Sequence, residues 1–362
     1  MSTKLDVDVN QFPGLTWNFL KINRTHLDSA VESDAGFTAV VSNDDLTHGE
    51  CTFSSLSSEE KEVKTGLGQL FDAEFDSFSK KTKTLRIDVP GCKASCCSRC
   101  KVKIEFEHHD GEAKAKDIVL HAQEGSRSQV ILVLKGAELN EGVLGARLRV
   151  IAEEGASVKI CAVNLLGKKA VHFFSLGSLV KDNAHVDFTE IQLGGSKVYS
   201  GNFTALNGYK LRFSGHTGYI AREDSEFDFN YVSHQEGRES ESSLSVDGVC
   251  DGSARKTWRG TIDFIKGCAD SKGDEQENVL LLSPKVINKT LPVILCDEEA
   301  VEGRHGASIG RLDSDMLFYM QSRGVDENEA RRLMVTAKIR SVCRHAEDPE
   351  ITESVEAFLS GL

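Results

Sequence analysis

Short runs of alternating apolar and polar residues recur through more than half of this sequence, from about residue 85 to residue 295. Clear examples are Leu85–Val89, Val102–Phe106, Phe227–Tyr231 and Thr261–Phe264. Each run is bounded by Gly, Asn, Asp or Ser, and no helical spacing intervenes. Period-two runs of this kind are typical of β-strands whose side chains alternate between core and solvent. The region is therefore predicted to be all β, which leaves a sandwich, a propeller or a β-helix open.

The scarcity of hairpin turn residues slightly favours the β-helix over the other two architectures. Asn207-Gly208 is the one clear hairpin dipeptide between the predicted strands. A meander of hairpins would need more such turns, because two-residue hairpins depend on them. The pattern thus indicates coils stacked on one another, although no sequence repeat of fixed length is visible.

Helical spacing appears on both sides of the β region. Near the N-terminus, the stretches 17–23 and 58–78 predict one or two helices. After Asp313 one helix is expected to end near Gly324, a second to begin at Asp326 with a capping partner at Glu329, and a third to follow Asp348-Pro349. We predict three segments: a mixed or helical one at 1–84, a β core at 85–311 and a helical one at 312–362.

The second C-terminal helix carries two apolar stripes instead of one. The first comprises Ala330, Leu333, Met334 and Ala337, and the second comprises Val335, Ile339 and Val342. One stripe is enough to dock a helix on its own domain. The other indicates either a more deeply buried helix or a surface for another protein.

Charge and composition exclude several classes of partner. The 362 residues carry a net charge of −13, which argues against binding to nucleic acid or to an anionic membrane. No signal peptide and no apolar stretch long enough to span a bilayer are visible, so a cytoplasmic protein is expected. Its ten cysteines would then be reduced thiols.

Four of these cysteines form a C-x3-C-C-x2-C run: Cys92, Cys96, Cys97 and Cys100. Thiolates at this spacing can hold zinc or iron. However, no second C-x2-C follows at zinc-ribbon distance, and Cys96 and Cys97 would point to opposite faces of a strand. The alternative is a group of surface or half-buried thiols in a loop.

A second candidate site lies where the β pattern changes to the helical one. His305 follows Arg304 and precedes Gly306, in a predicted turn that leaves the imidazole accessible as a metal ligand or an interface contact. Cys296 closes the apolar run Pro292–Cys296 and precedes three acidic residues. A solvated loop histidine and a packed core cysteine are the alternatives.

Catalytic signatures are missing from the sequence. It contains no nucleophile elbow, no P-loop, no H-E-x-x-H run and no dinucleotide-binding glycine fingerprint. An enzymatic function therefore has little positive support, and we expect a protein that is not an enzyme.

The run Arg304–Asp313, followed by Leu317–Met320 and Ser322–Gly324, resembles the C-terminal signature of the SufB/SufD family, the scaffold subunits of the Suf iron–sulphur cluster assembly system. The likeness is closer to SufD, because SufB-type proteins have glutamate in place of Gly306 and a reactive cysteine near Glu277. It implies a right-handed parallel β-helix core with helical terminal segments. It also implies that His305 faces a SufB subunit and contributes to the nascent cluster.

The resemblance implies partners and a cofactor as well. The chain would pair with a SufB-like subunit, share a transient iron–sulphur cluster with it and depend indirectly on a cysteine desulphurase. SufC, an ABC-type ATPase, would dock on the C-terminal helices and hydrolyse the ATP. The candidate docking residues are Leu317, Phe318, Leu333, Met334, Val335 and Ile339.

Two other hypotheses compete with this one. The chain could be a self-pairing scaffold that holds the cluster itself with SufC, using Cys296 or the group from Cys92 to Cys100. A more distant alternative is a β-helix enzyme acting on polysaccharide, which would need carboxylates aligned along one groove.

Overall fold

A computed structural model describes residues 3–14, 18–42, 49–91, 99–311 and 314–361. The N-terminal elements are β1 (Thr3–Val9), a 3₁₀ turn (Asn18–Leu20), β2 (Thr25–Val31), β3 (Ser33–Asp34), β4 (Thr38–Ser42), β5 (Glu50–Ser54), α1 (Ser58–Glu62) and α2 (Gln69–Thr82). The C-terminal elements are α3 (Ser314–Ser322), α4 (Glu327–Cys343), a 3₁₀ turn (Arg344–Ala346) and α5 (Pro349–Ser360).

Sixteen strands lie between these two groups. They are β6 (Thr84–Val89), β7 (Cys100–His108), β8 (Glu112–Ala122), β9 (Arg127–Gly136), β10 (Glu141–Ala152), β11 (Ser157–Leu165), β12 (Lys169–Val180), β13 (His185–Gln192), β14 (Lys197–Leu206), β15 (Arg212–Ala221), β16 (Glu226–Gln235), β17 (Glu241–Cys250), β18 (Arg255–Phe264), β19 (Ser271–Leu281), β20 (Ile287–Cys296) and β21 (Val301–Arg311). From β6 to β19, each strand pairs in parallel with the strand two places further along the chain, so that β20 and β21 are the last strands of their sheets.

This pairing divides the strands into two sheets that face each other. The even sheet runs from β6 through β8 to β20, and the odd sheet runs from β7 through β9 to β21. Together they make a parallel solenoid of about eight turns in a chain that is 55% strand and 18% helix. The predicted β-helix core with helices at the C-terminus is confirmed.

The interior of the solenoid is built from alternate residues of each strand. In its first half most inward positions are apolar, including Val102, Ile104, Leu132, Val158 and Ile160, all of them buried in one core cluster. Burial of such side chains provides the main favourable free energy of folding. A few polar side chains are buried at inward positions of the same strands, namely His108, Lys116, Asn164 and His172.

The N-terminal segment differs from the prediction. Besides α1 and α2 it contains β1 to β5, and β1 and β2 form an antiparallel hairpin. The hairpin and α2 cover the outer face of the even sheet, where Phe71 and Phe75 of α2 pack edge-on against Phe173. Of the predicted N-terminal helix at 17–23, residue 17 lies outside the described residues, and Asn18–Leu20 form only a 3₁₀ turn.

The C-terminal helices cover the opposite face. Ile339 and Val342 of α4, with Ile351 and Val355 of α5, are buried in one cluster with outward-facing residues of the odd sheet such as Ile191. The predicted caps are present: the Asp326 side chain accepts a hydrogen bond from the Glu329 N–H at 3.0 Å, and Asp348 accepts one from the Ile351 N–H at 3.1 Å. Both helices are therefore fixed to the solenoid.

Changes of element type fall where the three segments were predicted to meet. The parallel stack begins at β6 and ends at β21, and α3 starts three residues after β21. The division into three domains itself stays a prediction. Among the helices that the structure describes, none is long and apolar enough to cross a bilayer.

Two stacked histidines join the tail to the solenoid. The His216 ring on the outer face of β15 lies parallel to the His345 ring in the 3₁₀ turn after α4, with ring centroids 3.6 Å apart and an interplanar angle of 11°. Burial lowers the pKa of both rings, that of His216 to about 4, and each stays neutral at pH 7. The surrounding charges that act on one or both rings are Asp187, Asp247, Lys159 and Glu347.

We predict that acid loosens the tail. The pKa of His216 in the folded chain lies below its usual 6.5. Between about pH 6.5 and 4 the unfolded chain therefore binds more protons than the folded chain. The free energy of unfolding consequently falls as the pH drops through that range. Hydrogen exchange of α4 and α5 should accelerate at pH 5 relative to pH 7. His216→Phe, which keeps a ring in the stack but cannot titrate, should weaken this pH dependence. The same change at exposed His109 should leave it intact; equal acid sensitivity in both variants would contradict the assignment.

Candidate functional site

The two ends of the solenoid are finished differently. At the N-terminal end, β5 pairs antiparallel with β6 and β4 pairs antiparallel with β7, so both strands of the first coil have a short covering strand on their outer edge. At the other end, β20 and β21 are the terminal strands of their sheets within the described residues. Their outer edges consequently carry backbone N–H and C=O groups that no strand of the described chain pairs. Such edges are templates for pairing with another chain.

His305 lies on this open end. It is in the middle of β21, so the prediction of a turn is wrong: the parallel register pairs it with Glu275 of β19. Residues paired in this way share a face of the sheet, and Glu275 is fully buried on the interior face. His305 therefore points into the last coil, and because no further coil covers it, its side chain is still 46% exposed.

Glu275 is a buried carboxylate without good partners. Neither of its oxygens has a well-formed hydrogen bond, and its Oε1 lies 3.9 Å from Nδ1 of His305. Burial raises its pKa to about 8, an effect that the nearby backbone N–H of Val293 partly offsets. The carboxylate occupies space left by Gly260, where an added Cβ would lie only 2.6 Å from Glu275 Oε2.

A buried ion pair lies one inward position further along β19. Lys256 Nζ lies 2.5 Å from Glu277 Oε1, and Thr290 donates to the other Glu277 oxygen at 2.6 Å. The Lys256 ammonium also donates to the Thr290 hydroxyl at 3.1 Å. Burial lowers the pKa of Lys256, while Glu277 opposes this change. The interior beside the open end is therefore polar and charged.

A second polar group lies deeper in the solenoid. The buried Glu190 carboxylate accepts hydrogen bonds from Ser200 at 2.6 Å, from Gln192 at 2.7 Å and from Tyr231. Burial raises its pKa, and these three donors oppose the rise. Unlike Glu275, this carboxylate is well satisfied.

Cys296 and His305 are not brought together. Both side chains face the last coil. Inside this coil Gly303 packs against Ile294. Gly303 is the inward residue before His305 on β21, and Ile294 is the inward residue before Cys296 on β20. Because β20 and β21 run in opposite directions across the coil, the thiol and the imidazole lie on opposite sides of this contact. Cys296 is exposed, and its thiol donates to the carbonyl of Glu298 at 3.0 Å.

The cysteine run near residue 92 falls largely outside the described chain. Cys92, Cys96 and Cys97 lie in the range 92–98, whose structure is not described. Cys100 begins β7 and is buried in the core, and burial raises its pKa. Over the described parts of the chain, no three His, Cys, Asp or Glu side chains are grouped to hold a metal ion.

The candidate docking residues of the tail divide into two sets. Ile339 is fully buried against the odd sheet and Val335 is half-buried on the same cluster, so these two hold α4 to its own solenoid. Phe318 of α3 is 72% exposed and Leu333 of α4 is 44% exposed. Leu317 and Met334 are half-buried. An accessible apolar surface thus exists on the tail, and Tyr319 enlarges it.

Comparison with known proteins agrees with this architecture. The profile of the family described as "SUF system FeS cluster assembly, SufBD core domain" matches residues 106–338, well over half of the chain. The chain belongs to the SufBD family. The match begins in β7 and ends within α4, so it includes His305 and the whole second half of the solenoid.

Individual relatives support the SufD side of the family. The iron–sulphur cluster assembly protein SufD of Bacillus subtilis is 27% identical over 187 residues, which are 51% of this chain and 43% of that protein. SufD of Escherichia coli is 22% identical over 240 residues, 66% of this chain and 56% of that protein. SufD of Plasmodium berghei is 25% identical over 60% of this chain and 16% of its own length. The chain thus spans about half the length of the two bacterial relatives.

Sequence reasoning missed the interior carboxylates of this SufBD chain. Acidic residues of an alternating strand are expected on its solvent face, whereas Glu275 and Glu277 are both fully buried. One signal was available: residues 271–278 contain no apolar side chain, whereas the strand before them has Ile262 and Phe264 at alternate positions. A strand in that place must put polar groups inside.

We predict that Lys256→Met destabilises the protein by about 3–5 kcal/mol, because it leaves Glu277 buried without its cation. The double variant Lys256→Met/Glu277→Gln should recover most of that loss, since it removes both charges. Urea unfolding of the wild type, of Lys256→Met, of Glu277→Gln and of the double variant measures this. Additive effects of the two substitutions would contradict the pairing.

Proposed function

We propose that this SufBD chain is a SufD-like scaffold subunit that takes part in assembling and transferring iron–sulphur clusters. The observation that carries the proposal is the open coil, in which a strand edge that no described strand pairs presents the half-exposed His305. The SufD names of the relatives support it. The cluster would be cargo held between subunits, and this chain would supply imidazole nitrogen as a ligand, which suits iron.

The open end is also the surface through which the chain would pair with a SufB-like subunit. β21 is eleven residues long, and most of its side chains are exposed. Ile309 is 49% exposed on this strand although its register partner Val279 is buried in the core. A partner strand would satisfy the backbone edge and cover this apolar surface at the same time.

A SufC-type ATPase would dock on the tail patch formed by Phe318, Tyr319 and Leu333. These residues lie on α3 and α4, which contact each other. An exposed apolar patch of this kind is suited to bind another protein. ATP hydrolysis would belong to that partner, and sulphur would come indirectly from a cysteine desulphurase.

We predict that the double variant Phe318→Asp/Leu333→Asp fails to co-purify with SufC, because it places two charges in an apolar contact. Leu70→Asp is the matched control, since Leu70 is 58% exposed on α2, on the other face of the solenoid. Retention of SufC by the double variant would refute docking at the tail patch. Ile339→Asp is unsuitable for this test because Ile339 is a core residue.

Pairing at the open end has its own test. We predict that Ile309→Asp abolishes binding to a SufB-like subunit in size-exclusion chromatography with light scattering. Leu139→Asp, in an exposed turn between β9 and β10, should leave binding intact. A wild-type chain that forms a stable dimer with itself, and loses it through Ile309→Asp, would instead favour the self-pairing scaffold. Unimpaired association of the Ile309 variant would contradict both.

A further inference from the structure

Glu275 and His305 form an unusual pair. Their Cα atoms are in register on adjacent strands, both side chains point into the last coil, and 3.9 Å separates Oε1 from Nδ1. That separation is too long for a hydrogen bond. A buried carboxyl group without well-formed hydrogen bonds is costly, and folded proteins rarely retain one without a compensating partner.

The surroundings of the carboxylate supply no cation within the described chain. Lys256, the ammonium group buried in this part of the interior, lies 2.5 Å from Glu277 and donates to Thr290 as well. Arg304, which precedes His305 on β21, points the other way and lies 3.1 Å from Asp274. The open side of Glu275 is therefore the side on which His305 lies.

The distance between the two groups is close to what one ion requires. Imidazole nitrogen and carboxylate oxygen each lie about 2.0–2.2 Å from a bound divalent transition metal, so two such ligands are about 3–3.5 Å apart. A side-chain shift of about half an ångström would bring Nδ1 and Oε1 to that spacing. Mixed nitrogen and oxygen ligands suit Fe²⁺, Co²⁺, Mn²⁺ and Zn²⁺.

We propose that Glu275 and His305 are two ligands of a divalent metal site at the open end of the solenoid. The site holds one ion, and its other positions are filled by water in the isolated chain and by side chains of a partner in a complex. This inference deepens the proposed function, since the ion would be the iron that a cluster scaffold handles. Glu275 is the new ligand in this proposal. It would bind the ion from the buried interior of the solenoid, while His305 would bind it from the open end.

Cobalt titration of the isolated chain tests this proposal without any partner. Co²⁺ should bind with one-to-one stoichiometry and give visible d–d absorption without a thiolate charge-transfer band, because no sulphur is among the ligands. Glu275→Gln and His305→Gln should each raise the Kd for Co²⁺ at least tenfold, which is about the smallest loss seen even when a supporting group of a metal site is removed.

Two matched controls separate this site from its surroundings. Glu190→Gln alters another buried interior carboxylate, and His109→Gln alters an exposed imidazole on the turn after β7; both should keep the wild-type Kd. Glu275→Asp, which keeps the charge but withdraws the carboxylate, provides a second variant if Glu275→Gln fails to fold. It should also weaken binding.

Several outcomes would overturn the site. They are no saturable Co²⁺ binding by the wild type, a spectrum dominated by thiolate charge transfer, and an unchanged Kd in either the Glu275 or the His305 variants. Because the titration uses the lone chain, these results are separate from the pairing and docking experiments. Metal binding without partner binding would leave this site intact and refute only the assembly.

Discussion

Backbone hydrogen bonding along the two sheets is the constraint on which the rest of this structure depends. Each coil satisfies the N–H and C=O groups of the coil before it, so a stack of coils always has two unfinished edges. At one end the short strands β4 and β5 pair antiparallel with the first coil and form the sheet edges there. The edge at β20 and β21 is left for something else. Function is therefore expected where the fold itself is incomplete.

The interior near that edge contains buried charged groups, and burying them costs folding free energy. Glu275, Glu277 and Lys256 are buried in the coil next to β20 and β21, and Glu190 is buried in the middle of the stack. A well-packed apolar core would stabilise the chain at least as well. The free energy lost when a charge is removed from water offsets most of the attraction between that charge and its partner. Glu190 and Glu277 have full sets of partners, but Glu275 does not. Its position next to His305 is best explained by what it can bind.

Much of the fold could be predicted from the sequence because strand alternation is a local property. Runs such as Phe227–Tyr231 fall inside the observed strands, and the capping residues Asp326 and Asp348 correctly marked two helix starts. The coil length was not visible, because it varies: Glu141 pairs with Lys169, 28 residues on, whereas Arg255 pairs with Ile287, 32 residues on. Insertions in the turns hide a repeat that the sheets keep in register.

The site was harder to predict, because it depends on which strands are neighbours. Without the parallel register, the pairing of Glu275 with His305, thirty residues apart, has no sequence signal. The same holds for Ile339, whose apolar stripe could not be assigned to the solenoid or to a partner until α4 was seen against the odd sheet. The N-terminal strands were missed for a related reason, since β4 and β5 are edge strands with many exposed residues and weak alternation.

The two proposed surfaces are connected more directly than their positions suggest. α4 and α5 are fixed to the solenoid by buried apolar contacts and by the pairing of Lys338 with Asp247 at 2.9 Å. α3 follows β21 after two residues, and its Phe318 is exposed. A protein that binds α3 would therefore exert its force first on the C-terminal end of β21, the strand that carries His305, and only then on the rest of the solenoid. In a scaffold that must both hold and release its cargo, such a connection would place part of the docking surface on the helix that follows the metal ligand's strand.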